Sequence, residues 1–178
     1  MLAYSTHLIS YVPNLYFHQL KNSDSKICCY PNPSIETLPI LKETYGVNML
    51  ITSIKHLSEI YYTKIKCKEN NIHYINVLFN DDLHSSSNIK NIVSQIKTIF
   101  DLLQNNRIHL VLSSASGVFD VTVVAYCLLR MSGENRQDAL RILTDLMFEK
   151  KIRLGELRYE FCENKLVPRL IDDEIIRV

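Results

Sequence analysis

A strand, a loop of small residues and a helix follow one another at residues 111–126, VLSSASGVFDVTVVAY. At such a junction, free backbone N–H groups and the positive end of the helix dipole converge and usually hold an anion. This loop carries no Lys or Arg, and Asp120 stands where an anion site would place a cation. The stretch therefore has the layout of an anion site in which a carboxylate replaces the positive charge.

Hydrophobic periodicity predicts the elements that position this loop. A hairpin is predicted at 13–30 around the turn-forming KNSDS, followed by a helix at 35–46 that Ser34 could cap. A buried strand is predicted at 47–54, and further apolar strands are predicted at 72–79 and 108–114. The segment 58–71 is less decided and is read as a short helix with a lysine-rich loop.

Helices account for the rest of the chain. The helix at 87–104 has one apolar stripe, the pattern of a helix packed on a sheet. Its members are Ile89, Ile92, Val93, Ile96, Ile99, Phe100 and Leu103. Further helices are predicted at 121–133, 135–150 and 155–170. This alternation predicts an α/β fold with a central, mainly parallel sheet flanked by helices, and such sheets bind ligands at the carboxyl ends of their strands.

Length, composition and charge narrow the classes of protein to which the chain can belong. The 178 residues, 47% of them apolar, suit a single domain over 1–178 with its core at 12–168. A net charge of +1 gives no reason to expect nucleic acid as a partner. No apolar run is long enough for a membrane anchor, and five cysteines without metal-ligand spacing suit a reducing compartment. We expect a cytoplasmic protein.

The layout resembles the cysteine-dependent phosphatase superfamily, in which a buried strand leads into a loop of pattern HCxxGxxR and then a helix. On that pattern Ser113 takes the histidine place, Ser114 the nucleophilic cysteine and Asp120 the arginine, while Gly117 matches the glycine. The resemblance implies a phosphate loop of Ser114, Ala115, Ser116, Gly117, Val118, Phe119 and Asp120.

The resemblance extends beyond the loop, over roughly residues 12–168. VLFNDDLHSSSNI is similar to the acid loop of the phosphatases of regenerating liver, and DVTVVAYCLLRMSGENRQDALRIL is similar to kinase-associated phosphatase. LKETYGVNMLI and ELRYEFCENKL are similar to these compact dual-specificity enzymes. The resemblance therefore implies a protein tyrosine phosphatase-like, dual-specificity phosphatase fold, with Asp82, or its neighbour Asp81, as the relic general acid.

The altered positions predict loss of catalysis. A serine hydroxyl is far less ionised near pH 7 than a thiol, and Ser113 offers Ser114 no base. Asp120 removes a bidentate phosphate clamp and adds negative charge beside a dianion. We therefore expect a pseudophosphatase that binds a protein as a regulator or scaffold, its partner being a kinase, a phosphatase substrate or a second copy in a homodimer.

Other interpretations stay open. Asp120 could fill the loop itself, or join Asp81 and Asp82 around a divalent cation, although no metal and no cofactor are expected. A residual phosphohydrolase could use Asp82 with Ser114 or with such a metal.

Further residues give weaker signals. No GxSxG elbow or GxGxxG loop is present, which disfavours a serine hydrolase and a dinucleotide site. His109 is expected to pack in its strand, and His84 lies beside the acid loop. Tyr61 and Tyr62 are expected in the core; if exposed, they would suit a partner surface.

Overall fold

The computed structural model describes residues 14–30, 34–79, 85–113, 119–146 and 156–175. These residues form a five-stranded sheet with the order β1-β2-β5-β3-β4. The strands are β1 (His18–Gln19), β2 (Lys26–Cys29), β3 (Met49–Thr52), β4 (His73–Asn76) and β5 (His109–Ser113). Only β1 runs antiparallel to its neighbour, so the predicted mainly parallel sheet is confirmed.

The helices are placed between and after the strands. They are α1 (Leu38–Tyr45), α2 (Leu57–Glu69), α3 (Ser86–Asn105), α4 (Phe119–Met131), α5 (Arg136–Leu146), α6 (Glu156–Phe161) and α7 (Val167–Ile175). A 3₁₀ turn (Ile35–Thr37) precedes α1, and a π-helical turn (Cys162–Leu166) joins α6 to α7. This wider turn comes just before Pro168, whose nitrogen has no hydrogen to donate into the helix. No helix in the described ranges is long and apolar enough to cross a bilayer.

Neighbouring residues of β5 point to opposite faces of the sheet, since side chains alternate along a strand. Leu110 and Leu112 belong to a large core with α3, α4, α5 and the helices from residue 161 onward. Val111 belongs to a small core with Leu38 and Leu41 of α1 and with Cys67 of α2. We call these sides the large-core face and the small-core face.

The large-core face is built around α4. Every residue from Val121 to Leu129 in that helix is at most 4% exposed. All seven residues of the predicted apolar stripe of α3 are buried as well, which confirms that stripe. A central helix buried on all sides explains why the segment 121–129 is almost continuously apolar.

The hairpin at the start of the chain is confirmed, with His18 opposite Ile27 and Asn22 at a positive φ of 58° in the turn. The first helical segment ends where expected, at Gly46, whose φ of 67° suits glycine. The expected cap is wrong: the Ser34 side chain makes no capping hydrogen bond, and Thr37 Oγ1 donates to the Ser34 carbonyl at 2.6 Å instead.

The less decided segment forms the 13-residue helix α2. Its exposed side carries apolar residues among charged ones, and only Thr63 and Cys67 are buried, so no apolar stripe marks the helix in the sequence. Tyr61 is 68% exposed and Tyr62 53% exposed, and the expectation that they pack in the core is therefore wrong.

Candidate functional site

The site lies at the carboxyl end of the central strand. Ser113 is the last residue of β5 and pairs with Thr52 at the end of β3. On the other side of β5, the Tyr30 N–H donates to the Leu112 carbonyl at 2.9 Å. Helix α4 begins at residue 119. The strand and the helix of the predicted strand–loop–helix unit are therefore both present.

A cavity of about 420 Å³ opens at this end of the sheet. Its floor consists of buried side chains, and its rim is exposed. The floor contains Leu38, Thr52, Ile54, Thr63 and Ser113. The rim contains Ser34, Glu36, Glu59 and Tyr62, with Ile35 half-buried between the two. Among the described lining residues there are two carboxylates and no Lys or Arg.

A hydrogen-bond network fixes the wall of the cavity formed by residues 52–54. The Asn76 side chain accepts from the Ile54 N–H at 2.8 Å and donates to the Ile54 carbonyl at 3.0 Å. Thr52 Oγ1 donates to Asn76 Oδ1 at 2.8 Å and lies 2.8 Å from the Tyr74 hydroxyl. Because one amide side chain holds both backbone groups of residue 54, the segment leading into α2 has a defined path.

The electrostatics of the rim are negative. Hydrogen bonds from its own backbone and from the Ser34 side chain lower the pKa of Glu36, so this carboxylate is ionised at neutral pH. Lys66, one of the lysines on α2, is paired with Glu69 at 2.7 Å. The described part of the lining therefore presents carboxylates to an incoming ligand.

The helix behind the site is anchored by a charged cluster. The Tyr126 hydroxyl donates to Glu163 Oε1 at 2.5 Å, and Arg130 Nε donates to the same oxygen at 2.9 Å. Arg130 also donates to the Glu134 carbonyl. Burial and the neighbouring Glu163 raise the pKa of Tyr126, which keeps its hydroxyl protonated as a donor. This cluster ties α4 to the π-helical turn and fixes the helix that follows the loop.

The structure describes all five cysteines of the chain, and none lines the cavity. Each is buried in one of the two cores. Burial raises the pKa of Cys28 to about 12 and that of Cys67 to about 11, and it also raises the pKa of Cys29. A hydrogen bond with Cys162 and burial raise the pKa of Cys127. These thiols are inert toward a ligand in the cavity because the thiolate is the nucleophile.

Cys28 and Cys29 face opposite sides of the sheet, as adjacent strand residues must. His109 is packed in its strand as expected. Its Nδ1 lies 3.0 Å from the Tyr45 carbonyl, and its ring lies 6.1 Å from that of Phe17. It stands at the amino end of β5, the end opposite to the cavity.

Of the predicted site residues, the structure places Ser113 in the floor of the cavity and the backbones of Phe119 and Asp120 in the first turn of α4. The side chains of those two helix residues lie outside the described part. So do Ser114, Ala115, Ser116, Gly117 and Val118, together with Asp81, Asp82 and His84. Within the described ranges, no three His, Cys, Asp or Glu side chains group as metal ligands, and the trio of aspartates lies outside them.

Comparison with known proteins rests on structure alone, since no protein-family model and no curated protein matches the sequence. A mutant form of Tk-PTP superposes with a TM-score of 0.65 at 11% identity, over 89% of this chain and 97% of that one. A putative protein tyrosine phosphatase from Leishmania major gives 0.63 at 12% identity, over 84% and 96%. The chain has the protein tyrosine phosphatase fold. Kinase-associated phosphatase with its catalytic cysteine replaced by serine gives 0.60 at 14% identity, over 84% and 93%.

The cavity contains residues that sequence reasoning did not single out. Glu36, Glu59 and Thr63 come from the 3₁₀ turn and from α2, whereas the expected site was a single loop. In sequence, Glu36 and Glu59 look like ordinary charged positions in the first turn of a helix. A signal was available, because the two segments follow β2 and β3, parallel strands that end at the same edge of the sheet.

Proposed function

We propose that this chain is a catalytically inactive phosphatase-like protein, a pseudophosphatase, that acts by binding another protein. The observation that carries the proposal is the position of the five cysteines. The fold is that of enzymes in which a cysteine follows the central strand, whereas every cysteine here is buried away from the cavity. The residue directly after β5 is Ser114.

Serine at this position supports inactivity on chemical grounds. A hydroxyl needs an adjacent base to become a nucleophile near neutral pH. The preceding residue, Ser113, carries a hydroxyl and no base, and no described residue lining the cavity is a histidine. Ser114 is therefore expected to attack phosphorus too slowly to measure.

Charge supports the same conclusion. Asp120 stands in the sequence where the resemblance requires a guanidinium, and the rim adds Glu36 and Glu59. Charge-assisted hydrogen bonds are worth roughly 1.5–3 kcal/mol each, so losing a bidentate clamp weakens phosphate binding by roughly a hundredfold or more. Repulsion from the carboxylates acts in the same direction.

A protein-binding role is supported by the exposed side of α2. Leu57, Tyr61 and Ile65 are 82%, 68% and 37% exposed and stand four residues apart, so they line one side of the helix. We call them the α2 stripe. Tyr62, on the cavity rim, is their neighbour. Exposed apolar and tyrosine side chains beside a cavity are typical of protein interfaces. The five free thiols suit a reducing compartment, which supports a cytoplasmic role.

An activity assay tests the proposal. The purified chain would be assayed with an aryl phosphate, a phosphotyrosine peptide and a phosphoinositide, each with and without Mg²⁺. We expect no turnover above buffer. Turnover that disappears in Asp82→Ala but persists in Asp101→Ala, a matched change on the exposed side of α3, would overturn the proposal in favour of a residual hydrolase.

A calorimetric titration tests the charge argument separately. Phosphate or tungstate should give no binding heat with the wild-type chain and measurable binding with Asp120→Arg. Tight phosphate binding by the wild-type chain would contradict the expected rejection of anions.

A further inference from the structure

We infer that the cavity at the carboxyl end of the sheet binds an arginine side chain of a protein partner. This inference rests on the proposed protein-binding function and specifies the chemistry of the partner. The juxtaposition that carries it is an acidic rim above a floor of apolar and hydroxyl groups, in a cavity of about 420 Å³.

The rim supplies the charge. Glu36 comes from the 3₁₀ turn and Glu59 from the first turn of α2, so two separate elements bring carboxylates to one opening. No described lining residue neutralises them by an ion pair within the cavity. A guanidinium fits this arrangement because its planar fork of five N–H donors can serve two carboxylates at once.

The floor supplies an acceptor of its own. Ser113 is 4% exposed and lines the cavity, so its hydroxyl oxygen can accept a hydrogen bond from a ligand there. Its neighbour Thr52 is fully engaged with Asn76 and Tyr74. A hydroxyl in the floor therefore offers an acceptor to a ligand that carries N–H donors.

The apolar part of the lining suits the methylene stem of arginine. Ile54 and Leu38 lie in the floor, and the exposed ring of Tyr62 stands at the rim. Long cationic side chains lay their stems along apolar surface while the charged head meets acceptors, and guanidinium groups stack on tyrosine.

Arginine is preferred over a phosphorylated residue for the same reasons. The described lining offers a phosphate no cation, whereas it offers a guanidinium two carboxylates and a hydroxyl. The α2 stripe continues from the rim along the same helix and would contact the residues that flank the arginine. Contacts with this exposed area would give a whole protein partner a higher affinity than an isolated arginine side chain has.

The test uses the intact chain and N-acetyl-arginine amide, followed by the backbone amide resonances of Ser113, Thr63 and Glu59. We expect saturable shifts at these amides with a dissociation constant of about 1 mM, the range for a small contact. N-acetyl-citrulline amide has the same shape without the charge and should give no saturable shift. Raising the ionic strength from about 0.01 M to about 0.15 M should weaken binding, because screening shortens from about 30 Å to about 8 Å.

Variants then assign the binding to the rim. Glu36→Gln and Glu59→Gln should each weaken binding roughly two- to fivefold, as expected for partly exposed ion pairs. Glu43→Gln on the exposed side of α1 is the matched control, because Glu43 does not line the cavity, and it should leave binding unchanged.

The outcomes separate the two proposals. Equal binding of the citrulline compound, no effect of either rim variant, or shifts caused instead by inorganic phosphate would overturn the arginine site while leaving an inert protein-binding chain. Phosphate ester turnover would overturn the proposed function, whatever the arginine result.

Discussion

The two faces of the sheet differ in how their helices are used. On the large-core face, α4 is buried from Val121 to Leu129, and Arg130 near its end is paired with Glu163. On the small-core face, α2 buries only Thr63 and Cys67, and its other side chains face the cavity or solvent. The same sheet thus has one face that maintains the fold and another that leaves surface for a ligand.

Paired truncations in one strand should show this difference most strongly. Ile51 and Leu50 are adjacent in β3, similar in volume and almost fully buried, but they belong to opposite cores. Ile51→Ala should lower the free energy of unfolding by about 3–5 kcal/mol and Leu50→Ala by about 2–3 kcal/mol. The loss is larger for Ile51 because the large core around it relaxes less and keeps a larger cavity. Urea unfolding measures both values. A larger loss for Leu50→Ala would contradict the assignment of stability to the large-core face.

Ion pairs on the two faces give the second comparison. Glu163→Ala should cost about 2–4 kcal/mol, since it leaves Arg130 and the Tyr126 hydroxyl without their partner in a mostly buried place. Glu69→Ala on α2 removes the exposed pair with Lys66 and should cost less than about 1 kcal/mol. Thermal or urea unfolding of the two variants side by side tests this. Equal losses would mean that the charged cluster around α4 is not a structural anchor.

The buried thiols should make the free energy of unfolding depend on pH in the alkaline range. Burial raises the pKa of Cys28 from its ordinary value of 9.0 to about 12, so above pH 9 the unfolded chain loses a proton that the folded chain keeps. The free energy of unfolding should therefore fall as pH rises from 9 to 11, with about 1–2 kcal/mol coming from this residue. Urea unfolding under reducing conditions measures the slope, and Cys28→Ala should make it shallower. A slope unchanged by that substitution would indicate that Cys28 ionises near its ordinary pKa in the folded chain.

Sequence reasoning succeeded where burial follows one regular pattern. All seven stripe residues of α3 are buried because one side of the helix packs on the sheet, and this leaves a clear period in the sequence. The strand β5 and helix α4 were predictable for a similar reason, since both are buried and apolar. Gly46 marked the end of α1 because its left-handed backbone favours glycine.

The α2 region was harder to predict because its apolar residues do not mark a core. Leu57, Tyr61 and Ile65 are exposed, so a rule that places apolar residues inside gives the wrong answer for them. The cavity was missed for another reason. Glu36 and Ser113 are far apart in sequence and meet only because their segments end at one edge of the sheet. The sequence of one chain shows the spacing of neighbouring residues, but it does not show which distant residues come together in the fold.

The smallest expected effect concerns the α2 stripe. Replacing Tyr61 with Ser should change the free energy of unfolding by less than about 0.5 kcal/mol, because the side chain is 68% exposed and contributes little to either core. Leu41→Ser in α1, which is fully buried on the same face, is the contrasting variant and should be strongly destabilising. Urea unfolding of both distinguishes a helix side kept for a partner from one that supports the fold. A loss above about 1 kcal/mol for Tyr61→Ser would mean that the stripe packs within the chain itself, and the protein-binding surface would then have to lie elsewhere.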